Sequence, residues 1–277
     1  MDNEAAAAVQ REEEMLKEHH EACFAALQLT ARALREAKLP FFLIEGSALG
    51  AVRHRGIIPW DDDIDIAVFR KDFRRAGALL TEVFSGPAAG PFRYADRFNM
   101  PDFPRLIGKI LDARSGEACI DVFPLCVTSA DAAGRQKQWA KRKLLFKLYK
   151  AKIGYANARE REGVKNRLKL LTAKLTSLPF TKEGILRRIE QNETRFETAE
   201  APVYYINLYG AYDAERESLR AEWLTSPSVL SFCGEDFPSV GDPDAYLINL
   251  YGDYMKIPDE AERRGRHGEA FSVDGEA

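Results

Sequence analysis

The residues best equipped for chemistry are the carboxylates Asp61, Asp62, Asp63 and Asp65. Side chains alternate along an extended strand, so Asp61, Asp63 and Asp65 can share one face while Ile64 and Ile66 take the other. Carboxylates a few Å apart repel, and at least one is driven towards protonation unless a cation neutralises them. Hard oxygen ligands suit Mg²⁺ or Mn²⁺, and such an ion bridging phosphate oxygens stabilises the charge developed in phosphoryl transfer. An acidic loop facing water is the plain alternative. Against it stand Ile64, Ile66 and Val68, whose spacing ties the carboxylates to a buried strand.

Asp121 lies alone in the apolar run Cys119 to Phe123. A buried acid is costly unless paired or coordinated, so Asp121 is a candidate third metal ligand or general base. An edge-strand aspartate facing water is the competing reading. Lys109, between Gly108 and Ile110, is either a phosphate contact or a side chain snorkelling to solvent. Gly46 and Ser47 supply backbone N–H groups at a helix start, a site for phosphate oxygens, though this pair is also common in plain turns.

These residues need a scaffold. A helix is predicted over about 5–38, with Leu16, Cys23, Phe24, Leu27 and Leu34 on one stripe and Pro40 beyond its end. Phe41 to Ile44 reads as a buried strand, Gly46 and Ser47 as the turn after it, and a short helix through Leu49 and Val52 ends at Gly56. After the strand at Ile64 to Val68, Asp72 is the predicted cap of a helix through Leu79, Leu80 and Val83. Further strands are expected at Phe92 to Ala95, Arg105 to Leu111 and Ala118 to Phe123. The fold class is α+β, a mixed sheet flanked by helices.

The chain of 277 residues, 45% hydrophobic, suffices for one catalytic domain carrying an insertion. We divide it into a core over 1–130, an insertion over 131–200, a completing part over 201–258 and a loosely ordered tail over 259–277. From Arg135 to Arg188 there are seventeen basic residues against three acidic, a surplus of fourteen. Trp139, Leu144, Leu145, Leu148, Leu168, Leu171 and Leu175 punctuate that stretch at helical spacing. It is either a solvated helical lid or a contact for an anionic membrane. The whole chain has a formal charge of -3 and a pI near 5.9, which argues against a nucleic-acid partner.

Cys23, Cys119, Cys126 and Cys233 lack the paired spacing of a zinc site or a disulfide framework. Asp2, Glu4 and the run Glu12 to Glu14 replace the basic and apolar residues of a secretory signal, and no apolar stretch spans a bilayer. The expected location is the cytoplasm, with the inner membrane face as a peripheral site.

The run from Gly46 to Ile66, including Arg53, His54, Arg55, Gly56, Pro59, Trp60 and the aspartates, resembles the LicD family of phosphocholine transferases. More distantly it is similar to the fukutin-related sugar-phosphate transferases. Ile120 to Leu125 is a second match; Tyr246 and Leu247 with Tyr251 to Met255 and Pro258 are a third. The resemblance implies a nucleotidyltransferase-type fold, a Mg²⁺ requirement, and transfer of phosphocholine from CDP-choline to a hydroxyl of a cell-surface glycan or lipid-linked sugar precursor. Carried over by position, Asp63 and Asp65 are the metal-binding pair, Asp61 an adjoining ligand and Asp121 the further carboxylate. Many relatives begin the first block Gly-Thr where this chain has Gly46 and Ser47, which keeps the hydroxyl. The basic insertion matches no part of the family pattern, so which sugar accepts the group is not implied.

On that reading Arg53 or Lys109 offsets phosphate charge, and Trp60, Tyr209 and Tyr251 are candidates for a pocket around choline's quaternary ammonium. Packing is the other role open to those aromatics. Two other functions fit the residues: nucleotidyl transfer from a nucleoside triphosphate with release of pyrophosphate, and a metal-bound module without turnover.

Overall fold

A computed structural model describes residues 2–155 and 164–259. In chain order it begins with α1 (Asp2–Glu36), β1 (Phe41–Leu43), α2 (Glu45–His54), β2 (Ile64–Phe69) and α3 (Arg70–Val83). There follow β3 (Phe92–Ala95), β4 (Gly108–Asp112) and the long β5 (Ala118–Thr128). Three helices come next, α4 (Ala132–Ile153), α5 (Val164–Ser177) and α6 (Lys182–Glu193). The chain closes with β6 (Tyr204–Asn207), β7 (Ser218–Arg220), α7 (Ala221–Thr225), β8 (Ser228–Phe232), β9 (Glu235–Ser239) and α8 (Pro243–Tyr251).

The strands form one mixed sheet in the order β3, β4, β5, β2, β1, β9, β8, an α+β arrangement. β2 runs parallel to β5 and antiparallel to β1. The second half of β5 pairs with β6, which carries β7. Two-residue alternation divides the core. Ile64, Ile66 and Val68 of β2, with Phe41, Leu43, Ile120 and Val122, pack beneath Cys23, Leu27 and Leu34 of α1 and Phe73 and Leu80 of α3. Phe42, Ala67, Phe123 and Leu125 take the opposite face against Leu49, Tyr246, Leu247 and Leu250. Each such large side chain contributes on the order of 1.5–3 kcal/mol by leaving water, which fixes the register and the direction of the interspersed carboxylates.

Several local expectations change. Asp72 does not cap α3: the cap position is Phe69, without a side-chain hydrogen bond, and Asp72 sits in the first turn, where its charge complements the helix dipole. Gly46 and Ser47 lie inside α2, which starts directly after Ile44. β4 begins at Gly108, not Arg105, and β5 continues past Phe123 to Thr128. Pro124 permits this because β4 pairs with β5 only as far as Val122 and β6 starts at Leu125, so the residue without an N–H falls at the handover.

The basic stretch contributes α4, α5 and α6. Asp131 caps α4 through Gly134, and Gly154, at φ 72°, ends it. Leu145, Leu148 and Tyr149 of α4 pack on Ile185 and Ile189 of α6 and on Leu106. Leu144, Leu171 and Leu175 remain exposed. Arg159, Glu160, Arg161 and Glu162, and the expected tail from 260 onward, lie outside the described residues.

Candidate active site

Register builds the site. β2 and β5 set Asp65 opposite Asp121, and β5 and β4 set Asp121 opposite Lys109. Directly opposed residues project from one face, so three strands place Asp65, Asp121 and Lys109 in a row. The Lys109 ammonium donates to Asp121 Oδ1. Asp63 precedes β2 by one residue, and its carboxylate joins the row: oxygens of Asp63, Asp65 and Asp121 lie within 4.8 Å of one another. Asp61, Asp62 and Asp63 form a second such group.

The start of α2 holds Asp65. The Gly46 N–H donates to Asp65 Oδ2 at 3.0 Å, and Ser47 Oγ accepts the Asp65 N–H at 2.7 Å. The donor read from the sequence as a phosphate contact therefore serves an internal carboxylate. A Cβ on Gly46 would stand 2.9 Å from Asp61 Oδ2 and 3.0 Å from Asp65 Oδ2, too close for an unshifted fit, which is why glycine suits the position. From the other side α1 grips the acidic loop: His20 Nε2 lies 2.7 Å from the Asp61 carbonyl oxygen and His19 Nε2 2.6 Å from that of Asp62.

Burial raises the pKa of both Asp63 and Asp65 well above the usual carboxylate range. For Asp63 the next causes are the charges of Asp121 and Asp61, with Lys109 opposing; for Asp65 they are Asp63 and Glu45. One ammonium cannot balance this many acids. A hard divalent cation fits the all-oxygen donor set, and Asp63, Asp65 and Asp121 are the residues that could hold it.

Beside the cluster opens a cleft of about 670 Å³, and Gly46 and Asp61 belong to both. Arg53, Trp60, Tyr212, Tyr251, Tyr254, Asp253 and Lys256 line it. Arg53 sits 5.8 Å from the Trp60 ring centroid and donates to the Tyr254 carbonyl at 2.7 Å, which ties the chain after α8 to the cleft wall. Tyr212 and Tyr251 meet edge to face at 5.6 Å. Such aromatic walls with Asp61 and Asp253 can receive a quaternary ammonium; Arg53 and Lys256 can meet phosphate.

Of the candidates from sequence, Asp61, Asp63, Asp65, Asp121, Lys109, Gly46 and Ser47 come together at the cluster, and Arg53, Trp60 and Tyr251 line the cleft. Tyr209 lies elsewhere: its hydroxyl donates to buried Glu193, which also binds Arg70 and Arg97. The sequence reading missed Glu45, whose φ is 44° and whose carboxylate accepts from Asn207. It also missed Tyr246, whose hydroxyl accepts the Glu45 N–H at 3.0 Å, and Glu217, which accepts the Tyr212 N–H at 2.7 Å. Asn207 had one available signal, a polar residue closing the strand-like run from Tyr204.

Comparison with known proteins gives a consistent outline. Residues 38–155 match the family model described as LicD/FKTN/FKRP, nucleotidyltransferase domain. Over 274 residues, 91% of this chain and 96% of the relative, the sequence is 24% identical to the lipopolysaccharide cholinephosphotransferase LicD of Haemophilus influenzae. A 48-residue segment is 42% identical to the ribitol-5-phosphate transferase FKTN of Mus musculus, covering 17% of this chain and 10% of that protein. A 54-residue segment is 44% identical to the ribitol 5-phosphate transferase FKRP of Homo sapiens, covering 18% and 11%.

Proposed function

With a LicD-family nucleotidyltransferase domain over residues 38–155 as premise, we propose that the chain is a metal-dependent phosphotransferase moving phosphocholine from CDP-choline to a sugar hydroxyl of a glycan or lipid-linked precursor. The observation that carries the reading is the junction of two features: three convergent carboxylates, and an aromatic cleft with acidic and basic residues whose lining residues Gly46 and Asp61 adjoin them. The full-length likeness to a lipopolysaccharide cholinephosphotransferase supports choline over ribitol, since the ribitol-phosphate transferases match only a short segment.

In this mechanism Asp63, Asp65 and Asp121 hold Mg²⁺ or Mn²⁺. The ion, when bound, neutralises the donor's diphosphate and polarises the phosphorus under attack. Lys109 pairs with Asp121 and adds positive charge beside the phosphates. Trp60, Tyr251 and Tyr212 surround the choline methyl groups, and Arg53 orients the phosphate next to Trp60. We assign proton acceptance to Asp61. The sugar oxygen bonds to the phosphorus bearing choline, its proton passes to Asp61, the bond to the bridging oxygen breaks, and CMP leaves.

The decisive experiment offers CDP-choline, CDP-ethanolamine, CDP-ribitol, CDP-glycerol and nucleoside triphosphates with Mg²⁺, following CMP and pyrophosphate. CMP from CDP-choline supports the assignment. Pyrophosphate from a triphosphate instead establishes nucleotidyl transfer at the same carboxylates.

The helices after β5 support an acceptor held at a membrane surface. Leu144, Leu171, Leu175 and Leu178 are exposed on a strongly basic stretch, and no described helix is long and apolar enough to cross a membrane. We assign this face to peripheral contact with an anionic membrane, where each basic residue contributes about 1 kcal/mol. Co-sedimentation with anionic but not neutral vesicles at low salt is expected; no pelleting with either removes the assignment.

A further inference from the structure

Behind the acidic loop, away from the cleft, lies a second cluster of metal-ligating atoms that the phosphotransfer reading does not use. His19 and Cys23 stand one helical turn apart on α1, so both side chains face the sheet, where Cys119 opens the first half of β5. A ring nitrogen of His19 and the sulfurs of Cys23 and Cys119 lie within 4.8 Å of one another. Both cysteines are fully buried, with 0% exposure, and neither is in a disulfide.

We propose that His19, Cys23 and Cys119 bind a single soft divalent cation of the zinc class. Two sulfurs and an imidazole select Zn²⁺ over Mg²⁺, the opposite preference from the all-oxygen cluster nearby. Cys23 Sγ is 3.3 Å from His19 Nε2. Tetrahedral zinc with metal–sulfur and metal–nitrogen bonds of ordinary length separates those two ligand atoms by about 3.6 Å, so little movement is needed. The fourth position faces the Asp62 carbonyl oxygen, 2.6 Å from Nε2 and 4.0 Å from Cys23 Sγ. On the far edge of the ring Nδ1 lies 3.5 Å from Glu117 Oε2, the second partner that commonly orients a metal-bound imidazole.

Binding displaces three protons: one from each thiol to solvent, and one from Nε2, which the ring regains on Nδ1 towards Glu117. A hydrogen bond with Cys119, and after it burial, push the Cys23 thiol up in the absence of a cation, and a dication offsets that penalty. Because Asp62 sits between Asp61 and Asp63, such an ion would pin the acidic loop to α1 from behind.

The test uses Co²⁺ as a spectroscopic probe and Zn²⁺ as its competitor, on full-length protein freed of metal under reducing conditions. The expected result is thiolate-to-cobalt charge-transfer absorption saturating at one equivalent and displaced by Zn²⁺. Cys23→Ser and Cys119→Ser should each weaken Zn²⁺ by at least about 100-fold, and Asp63→Asn should leave the bands intact. Absence of thiolate bands in the folded wild-type protein overturns the proposal without any variant. Bands that persist in the protein carrying both Cys23→Ser and Cys119→Ser overturn it as well, since they would then arise from Cys126 or Cys233.

Discussion

Lys109 and Asp121 face each other across β4 and β5 as an ion pair whose side chains are 8% and 11% exposed, inside the carboxylate cluster itself. The lysine is a built-in cation, so its removal and the binding of a divalent ion act on the same carboxylates.

Lys109→Met should therefore leave Asp121 buried and uncompensated, at a cost of about 3–5 kcal/mol in metal-free protein. Mg²⁺ can offset that loss by binding the freed carboxylate. The expected outcome is a larger Mg²⁺-induced rise in Tm for the variant than for the wild type, together with a fall in kcat because the positive charge beside the phosphates is gone. Equal metal-induced shifts in thermal denaturation would show that Lys109 and the cation do not share Asp121.

Gly46→Ala separates geometry from stability. Alanine is favoured over glycine within a helix by roughly 1 kcal/mol, so α2 itself should not suffer. The added methyl must displace Asp61 Oδ2 and Asp65 Oδ2, each within 3.0 Å of it. A displacement of that kind lowers kcat by about 10- to 100-fold while Tm stays near the wild-type value. Steady-state kinetics and a melting curve on the same sample check it, and a melt as badly impaired as the rate would contradict it.

The metal-ligand candidates were legible because two-residue periodicity carries both pieces of information at once: Ile64, Ile66 and Val68 name the buried face, and Asp65 between them must point the other way. Asp121 was legible for the same reason. Its partner Lys109 was a candidate by itself, but the pairing was not, since it depends on β4 lying beside β5, a register no local pattern encodes. Glu45, Asn207, Glu217 and Tyr246 escaped because they meet only after the chain returns more than 150 residues later. Glu193 escaped too: at the end of an exposed-looking helix it reads as a solvated acid, yet it is 1% exposed between Arg70 and Arg97.

Trp60→Ala and Tyr251→Ala test the cleft. Each removes one aromatic wall from the 670 Å³ space without touching the carboxylates. Cation–π contact with a desolvated quaternary ammonium is worth about 1–2 kcal/mol, so KM for CDP-choline should rise about 5- to 30-fold with a smaller change in kcat. CDP-ethanolamine, whose ammonium is better satisfied by hydrogen bonds, should be affected less. Equal effects on both donors would assign these rings to packing alone.

Glu217 supplies a test that needs no substrate. Its carboxyl is 2% exposed, and burial pushes its pKa from 4.5 up to about 7, even though the Tyr212 N–H and the charges of Arg142 and Arg216 pull it down. A folded pKa above the unfolded one means the native state binds the extra proton. The contribution is thus complete below about pH 4.5 and is lost as pH rises through 7, amounting to about 3 kcal/mol over that window. Glu217→Gln keeps the carbonyl that accepts from Tyr212 and cannot ionise. The variant should match the wild type in urea unfolding at pH 4.5 and exceed it at pH 8, with the gap opening between. Buried Glu45, whose own carboxyl is raised first by burial and next by Glu217, should titrate lower in the variant. A gap that never opens would mean that the native Glu217 keeps an ordinary carboxylate pKa, and a gap already present at pH 4.5 would mean that the glutamine stabilises by something other than ionisation.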